Sequence, residues 1–243
     1  MSGAIWTQNA GRIMFKVPEQ IDLIDQKQYR IIPSVYPPIN FFEDLVDAAE
    51  MHVLYEIESL TNERLRQDVG DIFLVAPEDC VAGSGASVVM AAFTHVSTSS
   101  PSRFTDGTYG VYYASMSKET AIHETIYHRE RFLAATDQSA CEITMRVYEG
   151  QIKKPLHDIC EQSHQYLHHP TDYTQSQAFA KQLKEKQAWG IVYDSVRQAG
   201  GRCIAALRPP AVSNPKQISH LRYVWNGTRI TQVFDTNTLI TLT

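Results

Sequence analysis

Between Tyr109 and Leu133 the chain passes from strand composition into an amphipathic helix within a few residues, and this junction constrains the fold more than any other segment. Tyr109 to Ala114 is aromatic and β-branched, which suits a pleated, half-buried surface. Ser117 then offers an N-cap, and Glu119 stands in the first turn, where the helix dipole favours negative charge. The spacing predicts a helix from about Lys118 to Leu133 whose apolar stripe comprises Ala121, Ile122, Thr125, Ile126 and Phe132, with Glu124 at the border of the core. A strand followed so closely by a helix brings Tyr113 and Glu124 together although they are 11 positions apart. Arg103, ten positions before Tyr113, closes the same pocket from the preceding turn.

Those three side chains suit an anionic, sugar-containing substrate. An arginine binds a pyrophosphate bidentately, an aromatic ring stacks on a flat heterocycle, and a carboxylate stabilises an oxocarbenium-like sugar. From residue types alone a second assignment stands beside this one: a surface arginine, a core tyrosine and a solvated helix face.

The rest of the chain supplies more strands and helices. Tyr29 to Ile32 reads as a strand stopped by Pro33. Asn40 is placed to cap a long or broken amphipathic helical segment from Phe41 to about Asp68, with Glu43 in capping-box position. Ile72 to Ala76 and Ser87 to Val96 read as strands, as do Cys141 to Tyr148, Gly190 to Ser195 and Cys203 to Leu207. Ser176 to Ala188 reads as a helix, and Gln151 to Tyr173 as polar connecting structure. Asn226-Gly227, between Leu221 to Trp225 and Arg229 to Phe234, is a strong hairpin signal. This mixture predicts an α+β fold around a mostly antiparallel or mixed sheet.

Composition bounds the function classes. At 243 residues, 43% hydrophobic and 20% charged, the chain has enough material for a full core in one domain. A net charge of -5 argues against a broad surface that tracks nucleic-acid phosphates. Cys80, Cys141, Cys160 and Cys203 are scattered without a CxxC, which predicts reduced, packed thiols in a cytosol. No apolar run approaches the roughly 18 residues of a membrane span, and the N-terminus lacks a secretory signal, so a soluble cytoplasmic protein is expected.

The set Tyr29-Arg30-Ile31, Arg103-Phe104 with Gly107, Val111 to Ser115, Thr120 to Glu124 and Gly190 to Arg197, in that order, resembles the RES domain family. That family, named for its arginine, glutamate and serine, comprises toxins of bacterial RES-Xre toxin-antitoxin modules. The resemblance implies an ADP-ribosyltransferase-like core, a mixed or antiparallel sheet with flanking helices. It also implies a single RES-type domain over residues 1–243, with a partly helical N-terminal extension over about residues 1–70. The activity implied is cleavage of the nicotinamide-ribose bond of NAD+, by a glycohydrolase or a phosphorylase. NAD+ is then the substrate, and no cofactor or metal is expected.

Carried over residue by residue, Arg103 would hold the NAD+ phosphates, Tyr113 would flank the nicotinamide or its ribose, and Glu124 would stabilise the ribosyl cation. Ser195 would orient Glu124 or the ribose, and Arg30 would be a second phosphate contact. The resemblance further implies a cognate Xre-type antitoxin, an oligomeric complex with it, and no direct contact with nucleic acid or membrane.

Two alternatives remain open at this level: an ADP-ribosyltransferase acting on a cellular protein, and a non-catalytic nucleotide-binding module. Arg30, Ser97-Thr98-Ser99 and Glu124 imitate the pattern of arginine-modifying transferases, but Ile122 stands where their second glutamate would be. His157, Cys160, His164, His168 and His169 fit no tight zinc spacing. Ser195 lacks the Gly-x-Ser-x-Gly surroundings of a hydrolase nucleophile.

Overall fold

The computed structural model describes residues 7–9, 12–36, 42–43, 53, 55–56, 63, 67 and 69–235. A small ribbon pairs β1 (Thr7–Asn9) with β2 (Arg12–Met14). The main sheet is built from β3 (Gln20–Ile21), β4 (Lys27–Pro33), β5 (Tyr112–Ser115), β6 (Cys141–Gln151), β7 (Leu156–Asp158), β8 (Gly190–Asp194), β9 (Arg202–Ala206), β10 (Lys216–Trp225) and β11 (Ile230–Asp235). Its nine strands run in the order β11-β10-β6-β4-β5-β9-β8-β7-β3. β7 and β8 are parallel and the remaining pairs antiparallel. With helices α1 (Ala86–Thr94), α2 (Lys118–Ala135) and α3 (Thr174–Glu185), this is the expected α+β class with a mixed sheet.

Strand alternation sorts the core onto the two faces of the sheet. On one face Tyr112, Ala114, Val192, Ile204 and Ala206 bury against Val89, Met90 and Phe93 of α1. On the other, Ile31, Met145, Val147 and Leu221 pack with Ala121 of α2, while Ile191, Tyr193, Cys203 and Ala205 pack with Phe179 and Leu183 of α3.

One seam in the sheet is loose. β4 pairs with β6 along its whole length, from Lys27 to Pro33, and β5 pairs with β9 at all four residues. Between β4 and β5 the register holds a single pair, Tyr29 with Ser115. Beyond it the strands part, and the side chains at the opening belong to Arg30, Tyr113 and their neighbours.

Several expectations are corrected. Ser87 to Val96, read as a strand, is helix α1. Its run of small and apolar residues is buried on most sides, so no polar face marks the helical period. Gly85, at φ 81°, turns the chain into it, and a Cβ there would lie 2.3 Å from Pro215 O. Ile72 to Ala76 is a 3₁₀ turn over Ile72–Leu74, with the Asp71 side chain capping Phe73 N. Phe73 is 60% exposed, so the apolar run has no strand's single buried face. Phe132 is likewise 52% exposed, and Leu133 takes the buried place at that end of α2.

Gln151 to Tyr173 holds β7 and a 3₁₀ helix over Gln162–His168 rather than simple connection. Of the segment from Phe41 to Asp68, Phe42 and Glu43 lie in a turn, and Val53, Tyr55, Glu56, Glu63 and Gln67 are helical; Asn40 and the rest of it lie outside the described residues. The Asn226-Gly227 hairpin is present, with Asn226 Oδ1 accepting from Thr228 N and Arg229 N. Among the described residues no helix is long and apolar enough to cross a membrane.

Candidate active site

The strand-to-helix junction forms as its residues dictate. Ser117 caps α2, its side chain accepting from Thr120 N at 3.1 Å, and β5 ends two residues before it. This sets Tyr113, whose strand neighbours Tyr112 and Ala114 bury against α1, on the wall of the same cavity as Glu124. Arg30, Arg103, Tyr113 and Glu124 all line one cavity of about 300 Å3 at the β4-β5 opening. Ser195 lies behind Glu124 rather than on the cavity wall.

Ser195 fixes the carboxylate. It follows the last residue of β8, and its Oγ accepts from Arg197 N and Gln198 N, each at 3.1 Å. With its acceptor capacity taken by backbone donors, the hydroxyl hydrogen goes to Glu124 Oε1, 2.6 Å away, the length of a charge-assisted bond. Cys203 Sγ stands 3.9 Å from the same oxygen. Burial, then the nearby Glu124 charge, pushes that thiol up to about 12, so it stays protonated beside the carboxylate.

Tyr113 does more than present a ring. Its hydroxyl accepts from Phe104 N at 2.9 Å and shares a 2.8 Å bond with Ser102 Oγ. Burial pushes its pKa up to about 12, which keeps the phenol neutral in this role. Its ring stacks on Phe104 at 6.4 Å. Tyr113 therefore braces the turn that carries Arg103. Gly107 lets that turn lie against the 97–98 backbone: at φ 89°, its Cβ position is 2.4 Å from Ser97 O.

Arg103 is held from the other side. Its Nη1 donates to His169 O at 2.9 Å and Leu167 O at 3.3 Å, and its guanidinium lies 4.8 Å from the Tyr173 ring centroid. Its own carbonyl accepts from Ser176 Oγ at the start of α3. The histidine-rich segment thus serves as a floor for Arg103. Within it, His168 Nδ1 faces His164 O and Nε2 accepts from Asp194 N, an arrangement that needs the neutral ring. Among the described residues no group of three His, Cys, Asp or Glu is placed to hold a metal.

Arg30 crosses the opening between β4 and β5, donating from Nη1 to Tyr113 O at 2.8 Å with its guanidinium 4.6 Å from the Tyr112 centroid. Ser97-Thr98-Ser99 sits in the loop after α1, away from the cavity wall, and Ile122 packs against the core beside Ile31.

Two further arginines line the cavity: Arg129, which no motif marks, and Arg197, which ends the Gly190 to Arg197 segment but carries no assigned role there. Arg197 donates from Nη2 to Pro170 O at 2.5 Å and lies over the Tyr127 ring at 3.3 Å. The signal for part of this wall was helical spacing: Ala121, Glu124, Thr125 and His128 recur at i, i+3, i+4 and i+7 and share one face. Among the described residues, Arg30, Arg103, Arg129 and Arg197 therefore line this cavity with one carboxylate, Glu124, in a chain whose net charge is -5. Such a cavity draws in an anion and keeps one negative charge beside whatever is bound.

Comparison with known proteins places the same residues in context. The RES domain matches residues 79–226, a span that takes in Arg103, Tyr113, Glu124 and Ser195 and leaves Arg30 outside. The Sinorhizobium fredii protein y4oC, named as uncharacterized, is 28% identical over 212 residues, which is 87% of this chain and 88% of that protein. The crystal structure of the M. tuberculosis MbcT-MbcA toxin-antitoxin complex aligns with a TM-score of 0.39 at 9% identity, over 90% of this chain and 85% of that chain.

Proposed function

This chain belongs to the RES domain family, and from that premise we propose that it is a toxin that cleaves the nicotinamide-ribose bond of NAD+. The observation that carries this reading is the pairing of one oriented carboxylate, Glu124, with four arginines in one cavity. The arginines suit the pyrophosphate, whose oxygens match the guanidinium fork. The aromatic rings of Tyr113 and Tyr173 offer flat surfaces to a heterocycle.

The chemistry asks little of such a site beyond charge. The ring nitrogen of nicotinamide in NAD+ is cationic, and when its bond to the ribose C1 breaks it takes the electron pair and leaves neutral. Positive charge develops on the ribose, and a fixed carboxylate stabilises it without having to reorganise. Ser195 holds Glu124 in that position. Water adding to C1 and losing a proton gives ADP-ribose, and phosphate adding there gives the 1-phosphate of ADP-ribose. Ile122, two residues before Glu124, leaves no second carboxylate to activate a guanidinium acceptor, which favours small-molecule breakdown over protein modification.

In this reading residues 1–243 act as one RES-type unit in the bacterial cytoplasm, needing no metal or cofactor. NAD depletion arrests growth until a cognate Xre-type antitoxin obstructs the cavity in an oligomeric complex.

The test is to incubate the purified chain with NAD+, with and without phosphate, and to follow nicotinamide. Release is expected, and Glu124→Gln should lower it by about 10³ or more while the protein stays folded. Chromatography of the second product separates hydrolysis from phosphorolysis. A wild type that releases no nicotinamide in either medium would leave a nucleotide-binding module instead.

A further inference from the structure

A second cavity, of about 830 Å3, adjoins the first but lies on the α1 face of the sheet, opposite Glu124. Arg30 and Ile32 on β4, and Arg146 and Tyr148 on β6, line it; their neighbours Ile31, Met145 and Val147 bury against α2 on the other face. The N-terminal turn of α1 completes the wall with Ser87 and Val88.

Its polar groups are only partly partnered. Arg146 is 7% exposed and Ser87 4%, yet Arg146 Nε and Ser87 Oγ have no hydrogen-bond partner among the described residues, and neither has Arg30 Nε. Buried polar atoms are ordinarily paired, and three such atoms around one cavity mark a place built for a bound group. The charge is also one-sided. Among the described residues Arg30, Arg146 and Lys216 line the cavity with one acid, Glu43, whose carboxylate accepts from Gly85 N at 3.3 Å, so an anion already belongs at this end of α1. Ile32, the cross-strand partner of Arg146, supplies apolar wall together with Val88 and Ala91 of α1. The space is that of a small-molecule site and exceeds what a few bridging waters fill.

We propose that this cavity is a second binding site, for a phosphate monoester on a flat apolar body, the build of a nucleoside monophosphate. The phosphate takes the unpaired donors of Arg146, Ser87 and Arg30, and the body lies along Ile32 and Val88. Nothing in this depends on NAD+ cleavage.

Calorimetric titration of the full chain with AMP, and separately with inorganic phosphate, tests it. AMP binding should persist in Arg103→Gln, a change that weakens phosphate binding in the first cavity alone, since Arg103 does not line the second. It should bind at least about tenfold more weakly to Arg146→Gln and to Lys216→Glu, each of which removes a cation from the wall. The Lys216 variant changes an exposed side chain and so guards against a misfolded Arg146 variant. Inorganic phosphate should bind at least about tenfold more weakly than AMP, because it lacks the apolar body. No heat with AMP overturns the proposal. So does AMP binding that is lost in Arg103→Gln and kept in both cavity variants, or phosphate binding as tight as that of AMP. None of these outcomes alters nicotinamide release, which stands or falls on Glu124.

Discussion

Ser195 Oγ gives its one hydrogen to Glu124 Oε1 across 2.6 Å, because its lone pairs already accept from the backbone at Arg197 and Gln198. The serine is thereby a positioning residue. It fixes where the carboxylate points, and the β8 turn fixes the serine.

Removing that hydroxyl should misplace charge rather than remove it. Ser195→Ala is expected to lower kcat for nicotinamide release by about 10- to 100-fold, the worth of one charge-assisted hydrogen bond, with KM for NAD+ little changed. Ser195→Thr, which keeps the hydroxyl, should recover most of the rate. A steady-state series on the three proteins checks this, and a change confined to KM would place Ser195 on the substrate instead.

Tyr113→Phe separates the ring from the hydroxyl. The ring stays, but Phe104 N loses its acceptor in a buried turn, at a cost of about 1–3 kcal/mol. Because that turn carries Arg103, KM for NAD+ should rise together with the loss of stability. Urea unfolding and steady-state kinetics on the same preparation read both. A stable variant with normal KM would show that Tyr113 does not brace Arg103.

Much of this site was legible before folding. The capped helix after an aromatic strand fixed the closeness of Tyr113 and Glu124, since both elements are written in local residue choice. Two things were not legible. Helix α1 has no polar face, and burial on most of its sides erases the period that distinguishes a helix from a strand. The floor under Arg103 comes from carbonyls of residues 167 and 169, and a backbone carbonyl carries no sequence signature. The histidines there read as part of a polar connecting loop that fits no zinc spacing, because the role of the segment lies in its main chain.

That floor makes Arg103→Lys a severe change. One ammonium cannot hold two carbonyls of the 167–169 segment and also present a fork to a pyrophosphate. KM for NAD+ should rise by about tenfold or more, corresponding to one lost bidentate contact of about 1.4 kcal/mol or more, with a smaller effect on kcat. Kinetics across a range of NAD+ concentrations decides it; an unchanged KM would remove Arg103 from the phosphate site.

His168 links this floor to pH. It is buried, with Nδ1 facing His164 O and Nε2 accepting from Asp194 N, and burial followed by the Arg103 charge holds its pKa below the ordinary value of 6.5, though the His164 carbonyl opposes this. In the window between the depressed value and 6.5 the unfolded chain binds a proton that the folded chain does not. Stability from this group is therefore complete above the ordinary value and declines as pH falls below it, levelling off only beneath the folded pKa. Protonation would also set a second donor against Asp194 N, one residue from Ser195. The melting temperature should thus fall between pH 7.5 and 5.5, and His168→Gln, which keeps a side-chain donor and acceptor without the titration, should fall less over the same range. Thermal melts of both proteins across that range test it. Equal slopes would mean that the acid sensitivity arises elsewhere.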